Sequence, residues 1–220
     1  MNARSQIFEF AGELRQAEEI TAALFHTLLF HRSLGKFHYK QEGSYSVGTV
    51  GFKDVDCDFI DVTYVQCDSE ALDHVLRSRI VAFIESLQAG ECGSGEISLE
   101  FFQKKRQRWL LPPDSIPWEV WMLKFQILHY ANEQERQMSR EELGELVGEK
   151  VRHVAASLNR QEYVPKMPNH SELDLIFDTS FPDIQPYLFK INHQEGKAAV
   201  TGASNVGSAM KKLFRDTLTL

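Results

Sequence analysis

Asp54, Asp56 and Asp58 stand at alternate positions and open the D-x-D-x-D pattern of a calcium loop. Such a loop needs a glycine at its sixth position for a sharp turn and a bidentate glutamate at its twelfth. Here those positions hold Phe59 and Val65, so the aspartates are read as polar residues of a strand. His26 and His31 lie five apart on a predicted helix, a spacing that does not aim both rings at one metal as a spacing of four can. Cys57, Cys67 and Cys92 form an odd set without a C-x-x-C pair, which points to reduced thiols rather than a zinc site or a disulfide framework. The sequence holds no G-x-S-x-G, H-E-x-x-H, P-loop or G-x-G-x-x-G. No catalytic residue, metal or cofactor is assigned from these residues. An enzyme would need a polar pocket with perturbed titrating groups.

Two other stretches suit contact rather than catalysis. Trp109, Leu110 and Leu111 sit between a basic run, "KKRQR", and the pair Pro112-Pro113. Turns are normally polar, so three large apolar side chains there either fold back onto the domain or await another molecule. The prolines restrict the loop and reduce the entropy lost on binding. Burying one tryptophan removes roughly 150–250 Å² from water, about 4–6 kcal/mol gross, and tryptophan is enriched at interface hot spots. The second stretch is the C-terminal segment, where Met210 and Phe214 accompany Lys211, Lys212 and Arg215. It suits a tail packed on its own domain, a protein groove or an anionic membrane surface. Being short, it binds weakly alone.

Composition narrows the class. The 220 residues carry a net charge of -7 and are 43% hydrophobic, enough for one sizeable core. The acidic balance argues against a nucleic-acid binder, whose footprint is a clustered positive face. No run of about 20 apolar residues is present to span a bilayer, and the first residues reach their acids too soon for a signal peptide. An intracellular protein is expected. In that setting the sequon Asn169-His170-Ser171 goes unmodified.

The elements that must position these residues follow from periodicity. Residues 4–10 read as a strand, and residues 13–33 as a helix with Ala17, Ile20, Leu24 and Leu28 on one stripe. Residues 36–67 are strand-rich and broken by Gly43, Gly48 and Gly51, with Val55, Cys57 and Phe59 alternating against Asp56, Asp58 and Ile60. Asp68 or Ser69 caps a second helix whose stripe runs from Leu72 to Leu87. Ile97, Leu99 and Phe101 share one face of a strand. Trp121, Leu123, Phe125 and Ile127 share one face of the next, which Pro117 can open. The two make a long hairpin with Trp109 near its tip. Ser139-x-x-Glu142 resembles a capping box opening a third helix, with Leu143, Leu146, Val147, Val151, Val154 and Leu158 as its apolar face. Pro165 and Pro168 break the next stretch, residues 183–194 read as one strand, and a loose linker precedes the final amphipathic segment. The sum is an α+β domain with a mainly antiparallel sheet, three packed helices and a short C-terminal tail.

Longer segments resemble a known family. "HRSLGKFHYKQEGSYSVGTVG", "DVDCDFIDVTYV", "SLEFFQKK", "IPWEVW", "NRQEYVPKMP" and "QPYLFKI" are similar, almost end to end, to the autophagy-related protein 101 family, the HORMA-domain subunits of the complex that initiates autophagy. The resemblance implies a HORMA domain over residues 1–194, a linker and amphipathic tail over 195–220, and no catalysis or cofactor. It implies a cytoplasmic scaffold, recruited to sites of autophagosome formation. Its implied partners are the HORMA domain of autophagy-related protein 13, which it stabilises, and the initiating kinase with its large scaffold subunit. It further implies a protruding tryptophan–phenylalanine finger that recruits downstream factors. The finger tryptophan falls on Trp109 and the phenylalanine position on Leu111, while Leu110 replaces an intervening proline. Leucine keeps the bulk but loses the ring, so the downstream ligand is expected to bind differently. The short tail also fits an open-like HORMA state without a wrapped belt. The alternative reading is a membrane-surface module acting through Met210, Lys211, Lys212, Phe214 and Arg215.

Overall fold

Alternation of apolar and polar residues makes β1 (Arg4–Gly12), and the switch to a helical period makes α1 (Leu14–His31). The computed structural model describes residues 3–41, 44–90, 93–106, 113–160 and 164–195. After α1 come β2 (Ser33–Gly35), β3 (Phe37–Gln41), β4 (Ser44–Val47), β5 (Phe52–Asp56) and β6 (Thr63–Cys67). Then follow α2 (Glu70–Ala89), β7 (Ser94–Lys105), β8 (Asp114–Ile127) and α3 (Glu133–Asn159). A short 3-10 helix (His170–Leu175), β9 (Ile184–Pro186) and β10 (Phe189–Glu195) complete the described elements. The expected mixture of helices and mainly antiparallel strands is present.

The main sheet has the order β1-β8-β7-β10. β7 pairs antiparallel with both β8 and β10, whereas β1 lies parallel to β8. Its inner face carries Phe8 and Phe10, Ile97, Leu99 and Phe101, and Trp121, Leu123 and Phe125, all buried. The predicted faces of β7 and β8 are therefore the observed ones, with Ile127 packed at the margin of the core. The pairs β2–β9, β3–β4 and β5–β6 form separate two-stranded sheets.

Helix α1 is buried on more than a stripe. Ala23, Leu24, Phe25, Thr27, Leu28 and Leu29 are all buried, because β6, α2, α3 and the main sheet surround the helix. A helix apolar on most sides is a central one. Glu13 and Gln16 form a reciprocal capping box at its start. Helix α2 starts as expected at Ser69, whose side chain accepts from the Leu72 N–H.

Four expectations change. Helix α3 does not open at Ser139. Asn132 caps it by accepting from the Glu135 N–H at 2.9 Å, and the Glu135 carboxylate accepts from the Ala131 N–H at 3.0 Å. Ser139 instead lies buried inside the helix, 2.6 Å from the Tyr130 hydroxyl. Strand β5 ends at Asp56, so the alternation expected through Phe59 and Ile60 fails. Ile60 is fully buried and Phe59 is exposed, since the Glu19 carboxylate on α1 draws the backbone into a loop. Pro117 is not the first residue of β8. The strand already runs from Asp114, and Pro117 is tolerated because β1 pairing begins only at Glu119 and β8 bulges beside it, with Trp118 as the extra residue against Phe101 and Phe102. The single strand expected over 183–194 is divided into β9 and β10, with Tyr187 bridging to Phe177 between them.

Two glycines of α3 lie four residues apart in different surroundings. A Cβ at Gly144 would lie 2.5 Å from the backbone oxygen of Asp61, whereas one at Gly148 meets only the Arg152 guanidinium tip at 3.7 Å. Gly144→Ala should destabilise by about 1–3 kcal/mol through this clash, and Gly148→Ala should stabilise by up to about 1 kcal/mol through helix propensity. Urea denaturation of the two variants checks the opposite signs.

Candidate functional site

The segment singled out from sequence lies between β7 and β8 in the chain. The β7–β8 register continues to Lys104↔Ser115 and Lys105↔Asp114. Trp109, Leu110 and Leu111 lie outside the described residues. So do Met210, Lys211, Lys212, Phe214 and Arg215 of the C-terminal segment. At the base of the hairpin end, Arg106 donates through Nη2 to the Ser171 carbonyl at 2.9 Å and ties it to the 3-10 helix. On β7 the Phe102 N–H donates to the Leu188 carbonyl at 3.0 Å.

Below this end, a buried ion pair fixes β8 to α1. Arg32 sits just past the helix, where its N–H donates to the Leu28 and Leu29 carbonyls, and a cation at a helix C-terminus is favoured by the macrodipole. Its guanidinium donates to Glu119 through Nη2 at 2.7 Å and through Nε at 3.3 Å. Trp121 Nε1–H adds a 2.9 Å donation to the same carboxylate. Arg32 also stands over the Trp118 ring, 5.5 Å from its centroid. Arg32 and Glu119 are only 7% and 3% exposed, so the pair is a core element. Its sequence signal was slight: one Arg in a basic-looking turn and one Glu inside an aromatic strand.

A second polar cluster fastens residues 57–62 to α1. The Glu19 carboxylate accepts from the N–H groups of Asp58, Phe59 and Ile60 at 2.7, 2.8 and 3.0 Å. Burial raises its pKa above the ordinary carboxylate value against the pull of those three donors. Gln16 donates to the Phe59 carbonyl and to Ser139 Oγ. A cleft of about 550 Å³ lies over this junction, with Arg15, Arg136 and Arg140 on its walls. Arg136 is paired with Glu13 and Glu133 there.

His26 is buried. Its ring stacks on Tyr64 at 5.7 Å, and Nε2 lies 3.4 Å from Asp73. Burial, partly offset by Asp73, lowers its pKa from the ordinary 6.5 to about 4. His31 lies apart, edge-on to Phe30. Cys57 and Cys67 are free, and burial pushes the Cys57 thiol up to about 12, which leaves it an inert thiol rather than a nucleophile. Asp56 is occupied by the Thr63 hydroxyl, and among the described residues no three His, Cys, Asp or Glu side chains gather to hold a metal. No helix of the described residues is long and apolar enough to cross a membrane.

The elements and their pairing define an α+β protein built on a mainly antiparallel sheet. Residues 9–171 match the family model described as Autophagy-related protein 101. The chain is 51% identical over 221 residues to Autophagy-related protein 101 of Homo sapiens and of Xenopus laevis, with 100% of each chain covered. It is 25% identical over 125 residues to the Arabidopsis thaliana protein of that name, covering 56% of this chain and 52% of that one. The chain belongs to the autophagy-related protein 101 family.

Two tests follow. Arg32→Met or Glu119→Leu alone should cost about 3–5 kcal/mol by stranding a buried charge, and the double variant should cost far less than the sum; chemical denaturation of the cycle measures it. Folded His26 resists protonation while the unfolded chain takes a proton near pH 6.5. Its contribution is complete above that pH and is lost as pH falls toward 4, by up to about 3 kcal/mol. His26→Gln should flatten the wild-type loss of unfolding free energy across that window.

Proposed function

We propose that the chain is a non-enzymatic adaptor of the autophagy-initiation machinery. It carries a HORMA domain over residues 1–194 and a linker and tail over 195–220. It pairs with the HORMA domain of autophagy-related protein 13 and stabilises it. Together they join the initiating kinase and its large scaffold subunit, in the cytoplasm and at sites of autophagosome formation. Trp109, Leu110 and Leu111 form the finger that engages downstream factors.

One observation carries the finger reading. The hairpin keeps its ladder out to Lys105↔Asp114, which supports the reading because Trp109 falls in the short stretch of sequence between those two residues. The other two tryptophans, Trp118 and Trp121, fill the core. Helix α1 and the Arg32–Glu119 pair hold β8 below that end, so the finger has a rigid base. A rigid base lowers the ordering cost of binding. Leu111 supplies apolar bulk without a ring, so aromatic stacking contributes through Trp109 alone.

Trp109→Ala should leave the melting temperature and heterodimer formation unchanged. It should weaken recruitment of downstream factors by roughly 2–4 kcal/mol, the range of an interface hot spot. Thermal melts, co-purification with the partner HORMA domain and recruitment assays read the three quantities separately. A variant that melts early or loses the heterodimer would mark Trp109 as part of the fold.

A further inference from the structure

A groove of about 500 Å³ opens between the β3–β4 hairpin and the 3-10 helix, lined by Phe37, Tyr39, Lys40, Gln41, His170 and Ser171. Its floor is aromatic. Tyr39 lies 4.6 Å from the His170 ring and 5.5 Å from Tyr45, and Phe37 lies 5.5 Å from Tyr45. Tyr45 and Val47 beside it are 40% and 41% exposed. The groove is the outer end of a chain of ring contacts that begins in the core. Phe101 meets Trp118 at 5.6 Å, Trp118 meets Tyr187 at 5.5 Å, Tyr187 meets Phe177 at 4.6 Å, and Phe177 meets Phe37 at 5.3 Å. Side chains locked by packing present a preorganised surface.

Three features give the groove a charge preference. The Tyr39 hydroxyl is shielded from solvent and has no hydrogen-bond partner among the described residues. A shielded hydroxyl left unpaired costs free energy that an incoming acceptor would recover. Lys40 stands where the β3–β4 register shifts, between Tyr39 and Gln41, and such bulges re-aim side chains at functional surfaces. Arg106, outside the lining, donates to the carbonyl of Ser171, a lining residue, and brings a third cationic or donor group to its vicinity. Among the described residues no acidic side chain lines the groove, although Glu172 follows Ser171 on the 3-10 helix and Glu42 follows Gln41 in the sequence.

We infer that this groove docks an acidic segment of a partner polypeptide. A carboxylate accepts from the Tyr39 hydroxyl and pairs with the Lys40 ammonium, while a neighbouring apolar or aromatic side chain lies against Phe37, Tyr45 and His170. Such a ligand answers each feature at once: an acceptor for the orphaned hydroxyl, an anion for the lysine, and an apolar body for the ring floor. None of the residues given for the groove belongs to the finger segment, and its docking role does not depend on Trp109.

Selection of a random peptide library on the full chain tests the inference, followed by affinity measurement of the enriched peptides. The expected consensus pairs acidic residues with an apolar or aromatic one. Enriched peptides should lose about tenfold or more on Lys40→Glu and about threefold to tenfold on Tyr39→Phe, which removes only the hydroxyl. They should bind Trp109→Ala as they bind the wild type. Near-wild-type melting curves for Lys40→Glu and Tyr39→Phe exclude unfolding as the cause. A consensus without acids, no enrichment, or acidic peptides indifferent to both groove substitutions would overturn the proposal.

Discussion

The buried pair of Arg32 with Glu119 is the constraint on which the rest of the architecture depends. Taking two charges out of water costs several kcal/mol per ion, and only full hydrogen bonding offsets it. That demand is met by placement. Arg32 must sit where α1 ends, Glu119 where β8 takes on β1, and Trp121 close enough for its indole N–H to reach the same carboxylate. The Arg32 carbonyl also accepts from the Tyr187 N–H, so one residue joins helix, main sheet and the β2–β9 pair. An apolar contact would have tolerated sliding between these elements. A bidentate ion pair tolerates little.

With that corner fixed, α1 becomes the axis around which other elements close. Its apolar surface is covered on several sides, and its few polar residues act as fasteners. Glu19 gathers three successive N–H groups, and Gln16 reaches both the Phe59 carbonyl and Ser139. These bonds turn what sequence pattern describes as a strand into a loop with Ile60 as its buried plug. Gly144 on α3 completes the arrangement, since only a residue without a side chain allows the Asp61 carbonyl so close. The outer face of the main sheet follows a different logic. Ile7, Met122, Ser98 and Asn192 form one cross-strand row there, and Lys190 pairs with Glu100 at 2.7 Å in the next.

What the sequence disclosed was periodic. The β7 and β8 faces, the α2 stripe and the α3 stripe follow from spacing alone, because each depends on one face meeting one core. What it withheld was set by contacts distant in sequence. The Ser139-x-x-Glu142 pattern has the spacing of a capping box, but Asn132-x-x-Glu135 has it too and stands where the chain enters the helix. Ser139 is taken up by Gln16, 123 residues away. The alternation through Asp58 gives no hint of Glu19, nearly forty residues earlier on another element. Nor does any motif mark Arg32 and Glu119, 87 residues apart. Of the two candidate contact segments, only the stem carrying Trp109 lies among the described residues. The basic C-terminal segment lies outside them. No sequence pattern marks the groove at Tyr39, because its rings are spread over β3, β4 and the 3-10 helix.

The aromatic chain explains how the core holds the surface groove at Tyr39 in place. Rings in contact transmit position because dense packing leaves few alternative rotamers. From Phe101 and Trp118 on the hairpin, through Tyr187 and Phe177 to Phe37, each ring rests on one already fixed. Trp118 in turn lies under the Arg32 guanidinium. The ion pair that orients β8 therefore also anchors the inner end of this chain, and Arg106 clips the hairpin end to the helix bearing His170. The stem of the hairpin and the groove are thus joined by contacts of two kinds: displacing the groove's rings relative to β7 and β8 would break ring contacts and the Arg106–Ser171 bond together.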